Sequence, residues 1–357
     1  MLNDALAKVQ KTVQMLKAEL MPTTEDNSLS FLSFNEDNYY YSRLTEPQKT
    51  VYSIILAGLL KIEKEISIPL LPIEEISTTF SAVTHDNPML FYVSAFSLSS
   101  GMYSSHCSFI PNYKYDRQFI LQNIKIINEF LHVFDKIKTK SDIEKEIYVH
   151  DFCLNNFTYD YSFDGYSYSV LGPILNKKAV CEGIAKCTKL IFDYLGVTSL
   201  VVSGEANNPL HGSQMEGHAW NIVLIDGKTY HLDVTWDICL TKNTKRYDYF
   251  NLCDNDIKKD HVITDVIPVC STDNKDYYSL HSMIVSEPSD LEDYIDYRLK
   301  REETQITFKI KNLIFSESIL KQIQEISQTQ YLNNSKYRAS INMNYNPSQM
   351  VFEIFLQ

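Results

Sequence analysis

Apolar positions along this chain recur first with the period of a helix and later with that of a strand, and the change of period divides it. Near the start, Leu2, Leu6, Val9, Val13, Leu16 and Leu20 alternate in steps of four and three, with Lys8, Lys11 and Lys17 between them, until Pro22. That spacing predicts an amphipathic helix with a narrow apolar seam, suited to packing on its own protein or to self-association. Residues 22–36 are polar and acidic and read as a connector. Thr45-Glu46-Pro47-Gln48 opens the next helix, with a hydroxyl N-cap, Pro in the first turn and Gln three residues on. Its apolar face runs through Val51, Ile54, Ile55, Leu59 and Ile62 to about residue 66. Further helices are predicted over 73–84, 115–137 and 141–156, with an aromatic-rich strand over 89–98.

Beyond Tyr159 the two periods mix. A helix over 181–195 buries Ile184, Leu190, Ile191, Tyr194 and Leu195 and stops at Gly196. A short strand covers 198–203. Asp226-Gly227 then lies between two strand-like runs and predicts a two-residue hairpin turn. Pairing Ile225 with Lys228 sets Trp220 opposite Asp233 and His218 opposite Thr235, so His218 and Asp233 become diagonal neighbours on one face. A slip of one residue would part them. After about residue 275 the pattern reads helix (290–300), strand (305–310), helix (316–327), then two strands flanking Asn346-Pro347. The expected organisation is a helix and connector over 1–36, a mostly helical region over 37–140, a mixed domain over 141–270 and a small α+β domain over 275–357.

Composition narrows the function. Hydrophobic residues make up 44% and charged residues 22% of 357, which suits a globular fold. A net charge of −12 argues against a general nucleic-acid or anionic-membrane surface. The seven cysteines never form Cys-x-x-Cys, which fits a reducing compartment better than a disulfide framework or a tetrahedral zinc site. No run is apolar enough to span a bilayer and no signal-peptide pattern is visible, so a cytoplasmic location is expected.

Three runs carry candidate chemistry: Ala179-Val180-Cys181-Glu182-Gly183, Gly217-His218-Ala219-Trp220, and His231-Leu232-Asp233-Val234-Thr235-Trp236-Asp237. A thiol is a strong nucleophile as thiolate, a helix start and an imidazolium both favour that form, and a carboxylate fixes the imidazole tautomer. Backbone N–H groups at the start of the same helix could hold an oxyanion. Trp220 and His231 are candidate pocket residues, with a core-packing or hydrogen-bonding role as the alternative, and His211, in the polar loop over 204–216, is a candidate rim residue, with an ordinary surface loop as the alternative; substrate contact is the expectation for all three. Asp237 is expected to cap the turn after the hairpin. No metal site or cofactor is expected.

These runs, with His150-Asp151, Tyr159-Asp160, Lys178, Ile184-Ala185, Val201-Val202-Ser203-Gly204, Asn221, Tyr249-Phe250 and Lys259-Asp260-His261, resemble in order the bacterial-type domain of the transglutaminase-like superfamily, over about 147–261. The resemblance implies an α+β, papain-like core: a helix carrying the cysteine packed on an antiparallel sheet carrying His and Asp. A helical region would precede it and a small α+β domain would follow. It also implies Cys181 as nucleophile, His218 as base and Asp233 as orienting acid. The implied reaction is acyl transfer on amides through a thioester. Its partners would be a protein or peptide bearing glutamine or another amide, and a primary amine as co-substrate. Transamidation and deamidation differ only in whether amine or water resolves the thioester. The same triad would also serve a protease, amidase or glycanase, and the fold with an idle triad would serve as a binding protein.

Overall fold

The computed structural model describes residues 38–100, 105–207, 215–242, 244–333 and 341–356. The expected N-terminal amphipathic helix and His211 lie outside the described residues. The described residues form two compact units, divided between residues 201 and 202. No described helix is long and apolar enough to cross a membrane.

The first unit begins with α1 (Tyr39–Ser42) and α2 (Glu46–Leu60). Thr45 and Gln48 form the anticipated capping box at the start of α2. The helix ends at Leu60, short of the expected residue 66, because Ile62 turns into the left-handed region and the chain re-emerges as β1 (Ile66–Pro69). After α3 (Ile73–Asp86) come β2 (Val93–Ser99) and β3 (His106–Tyr113), in a sheet ordered β1-β3-β2. Then follow α4 (Arg117–Leu131), continued by a 3-10 turn to Ile137, and α5 (Asp142–Asn156), which carries a second capping box from Ser141 and Glu144.

Two very short parallel strands, β4 (Thr158–Tyr159) and β5 (Lys178–Ala179), close the chain on itself just before α6 (Cys181–Leu195). As expected, α6 ends at Gly196, which takes φ +73°. The strand β6 (Ser199–Asn207) leads out of the first unit.

In the second unit β6 joins a five-stranded sheet ordered β10-β6-β7-β8-β9, with β7 (Met215–Ile225), β8 (Lys228–Leu232), β9 (Phe250–Leu252) and β10 (His261–Ile263). The helix α7 (Val234–Leu240) follows β8, and α8 (Asp254–Ile257) follows β9. After α9 (Tyr277–Leu280) comes a four-stranded sheet ordered β11-β12-β14-β13, built from β11 (Ile284–Val285), β12 (Gln305–Ile310), β13 (Ile341–Asn346) and β14 (Val351–Leu356). Its face packs with α10 (Leu291–Lys300) and α11 (Glu317–Asn333) around Phe308, Phe352, Leu291 and Ile323.

Two buried ion pairs tie this sheet to the rest of the unit. Arg246 grips Asp248 through two nitrogens at 3.0 and 2.6 Å and reaches Glu353 of β14 at 2.9 Å. Lys309 of β12 pairs with Asp276 at 2.9 Å.

Candidate active site

Cys181 is the first residue of α6, and the chain around it is clamped from one side. The Asp160 amide donates to the carbonyl of Ala179 at 3.0 Å, and the Val180 amide to the carbonyl of Ser167 at 3.2 Å. Asp160 organises the intervening loop, accepting from the amide and hydroxyl of Ser162 and from the hydroxyl of Ser167. Those hydroxyl contacts hold its carboxyl well below the usual range. Gly183 lies so close to this loop that a Cβ on it would sit 2.2 Å from the Ser167 carbonyl oxygen. The glycine of Cys-Glu-Gly is therefore required by packing, and it fixes where the first turn of α6 begins.

Cys181 is half-buried, unlike Cys153 and Cys187. Burial pushes the Cys153 thiol up to about 12 and also holds the Cys187 thiol well above the ordinary thiol range, so both stay protonated.

The second unit holds the acid and the imidazole. The turn at Asp226-Gly227 is as anticipated, with Ile225 opposite Lys228, and the pairing continues to Asn221 opposite Leu232. There the expected strand is cut short. Asp233 does not face Trp220 across a ladder; it is the N-cap of α7, and its Oδ1 accepts the amides of Thr235 (3.0 Å) and Trp236 (3.1 Å). Aspartate is among the strongest N-caps, and this local bond outcompetes the further β pairing expected through Asp233, Val234 and Thr235.

His218 and Asp233 still meet, by a different route: His218 Nε2 lies 2.7 Å from Asp233 Oδ2. Both side chains are buried. Burial works to raise the Asp233 carboxyl, and the charge and hydrogen bond of His218, with a hydrogen bond from His261, override it and hold it well below the carboxylate range. The His218 ring is held between two indoles, Trp236 at 4.4 Å and 13° and Trp220 at 5.9 Å and 18°.

His231 faces a different set of partners. Its Nδ1 accepts from Trp220 Nε1 at 3.0 Å, and its Nε2 lies 2.9 Å from Asp254 Oδ1. An indole only donates, so Nε2 carries the ring proton and the neutral tautomer is fixed. Burial lowers the ring to about 4 against the pull of Asp254. His231 thus braces the tryptophan that stacks on His218. Asp237, expected as the cap of a following turn, instead lies within α7 and accepts the Tyr249 amide at 3.2 Å. Burial and neighbouring Asp248 push its carboxyl up.

Among the described residues, two groups bring three potential metal-ligand atoms together: His218, Asp233 and His261, and His231, Asp254 and Cys270. In the second, a metal on Nε2 of His231 would move the proton to Nδ1 and set two donors against each other at Trp220. Burial and Asp254 also push the Cys270 thiol up to about 12. That donor set fits a hydrogen-bonded brace better than an ion.

His261 is absent from the residues that spacing brings forward. It lies on β10, some thirty positions after Asp233, and only the sheet order brings it to that carboxylate at 3.1 Å. The ordered motif Lys259-Asp260-His261 was the one signal that could mark it.

Residues 132–234 match the family model described as transglutaminase-like superfamily. Among solved structures, one of a TGase is similar at 16% identity and a TM-score of 0.30, over 52% of this chain and 54% of that one. A candidate cysteine protease from Cytophaga hutchinsonii is similar at 13% identity and a TM-score of 0.27, over 40% of this chain and 62% of that one. This chain thus spans between half and two thirds of each. No curated protein matches it.

Proposed function

Residues 132–234 match the transglutaminase-like superfamily model, and from that match we propose that the protein is a cysteine-dependent acyl-transfer enzyme acting on the carboxamide of glutamine side chains in a protein or peptide. The observation that carries the reading is the buried 2.7 Å contact between His218 Nε2 and the fully enclosed Asp233 carboxylate. A carboxylate so placed fixes the ring tautomer and stabilises the imidazolium.

In this reading His218 exchanges protons through Nδ1, since Nε2 is committed to Asp233. The proton of Cys181 passes to Nδ1 and the thiolate adds to the carboxamide carbon. Collapse of the tetrahedral adduct returns the proton to the departing nitrogen, releasing ammonia and leaving a thioester on Cys181. A primary amine resolves the thioester to a transamidated product; water resolves it to the deamidated acid. Backbone N–H groups at the start of α6 are suited to hold the oxyanion of the adduct.

Alkylation with iodoacetamide across pH tests the pair. Cys181 is expected to label fast at pH values where an ordinary thiol is protonated, and His218→Ala to abolish that advantage. Equal labelling in wild type and His218→Ala would sink the proposal. Incubation with a glutamine-bearing peptide and a primary amine then tests the substrate class, an amine adduct or a deamidated product being expected and an unchanged peptide mass counting against it.

A further inference from the structure

A buried histidine outside the expected set lies on the acid side of the proposed site, and its hydrogen bonds can be counted to completion. Nδ1 of His261 is 2.7 Å from Asp260 Oδ1, and Nε2 is 3.1 Å from Asp233 Oδ2. Both carboxylates are otherwise engaged by donors. Asp233 accepts from two backbone amides and from His218. Asp260 accepts from the hydroxyl of Tyr249 at 2.7 Å and from the Gln349 side-chain amide at 3.3 Å. An ionised carboxylate only accepts, so each nitrogen of His261 must present a proton, and the ring that satisfies both is the imidazolium.

We propose that His261 is a positioning residue that carries its charge at neutral pH, shared between Asp233 and Asp260, which sets how strongly Asp233 holds a proton on His218. This inference rests on the reading of His218 as the catalytic base.

The electrostatics follow from the placement. The charges facing His261 are Asp233 and Asp260, the centroid of the His218 ring lies 5.4 Å away, and His231, held neutral by burial, is within electrostatic reach. Tyr249, on the far side, gives its hydroxyl to Asp260 and stays protonated, its phenol pushed up by burial and by that carboxylate. Asp237, inside α7, is pushed toward its neutral form by burial and Asp248. One cation thus stands between two anions, with a second imidazole in range. A buried cation beside Asp233 cancels part of the field that the carboxylate projects onto His218. The proposed base then releases its proton more readily to a departing amine than it would with an unshared aspartate. The same contact fixes the second lone-pair direction of Asp233 Oδ2, so the carboxylate cannot turn away from His218.

Ring nitrogen-15 NMR on the unaltered protein tests the charge. Both nitrogens of His261 are expected to carry protons at pH 7 and to keep them above the pH at which a free imidazole titrates. A ring with one bare nitrogen at pH 7 would overturn the proposal. His261→Gln tests the coupling: the His218 ring is expected to titrate higher by on the order of one pH unit once the neighbouring cation is gone. A folded His261→Gln protein in which His218 titrates as in wild type would equally overturn it. Should His218→Ala leave Cys181 labelling unchanged, the functional reading falls by itself, and the ring signals still decide the charge of His261.

Discussion

Replacing Asp233 separates two tasks that one carboxylate holds, the cap of α7 and the orientation of His218. Asparagine caps a helix about as well as aspartate. Asp233→Asn is therefore expected to keep the far-ultraviolet circular dichroism of the fold, while amide turnover falls on the order of 10⁴-fold, as when the aspartate of a serine triad is neutralised. Asp233→Ala should cost about 1 kcal/mol more in urea unfolding, because the cap goes too. The pH dependence has two signs. Asp233 is depressed in the fold, so its contribution is complete above about pH 4 and is lost as pH falls through its lower folded value. His261 is raised, burial opposing and Asp233 and Asp260 favouring the charge, so its contribution is complete below about pH 6.5 and is lost as pH rises through its higher folded value. The melting temperature of wild type should therefore decline on the alkaline side more steeply than that of His261→Gln. Cys181, His218 and Asp233 could be picked out in the sequence because each lies in a short run of fixed composition. His261 was marked only by the Lys259-Asp260-His261 motif, since its second carboxylate partner, Asp233, is brought to it only on folding.

Among the elements, those set by neighbouring residues were the readable ones. The capping box at Thr45, the helix start at Ser141, the glycine stop of α6 and the Asp226-Gly227 turn all lie where local chemistry puts them. The central strand β3 was not readable, because Pro111 within it removes a ladder donor and breaks the usual strand signature. The end of β8 was misread for the opposite reason: strand periodicity continues through Asp233, and a helix cap wins over it. Gly183 shows how closely an element can be held. Gly183→Ala places a methyl group against a backbone carbonyl that cannot swing aside. Chemical denaturation is expected to reveal a loss of about 1–3 kcal/mol, with α6 displaced from its start.

For the molecule as a whole, burial of charge rather than of hydrocarbon alone holds the C-terminal sheet within the second unit. Arg246 is enclosed with Asp248 and Glu353, and removing one member strands the others. Arg246→Ala is expected to lower stability by about 3–5 kcal/mol. A double-mutant cycle with Glu353→Gln should return a coupling of about 0.5–3 kcal/mol, and additive effects would show the contact to be idle. The α+β papain-like class followed from the ordered motifs, and periodicity supplied the main helices and the hairpin. The division of the chain at residues 201 and 202 did not, because it cuts through the single strand β6 and depends on which residues pack around each half.

The hydrogen bonds behind Asp260 also give the protein a timetable. Tyr249, which donates to Asp260, is itself held by Asn346 at 3.4 Å, and Gln349 binds both Asp260 and the carbonyl of Asp256. Those two residues fall in the last dozen of the 357. On the ribosome, the cysteine emerges long before the amides that complete the acid behind its proposed base. A growing chain therefore carries its reactive group well before the residues that steady Asp260 have been made.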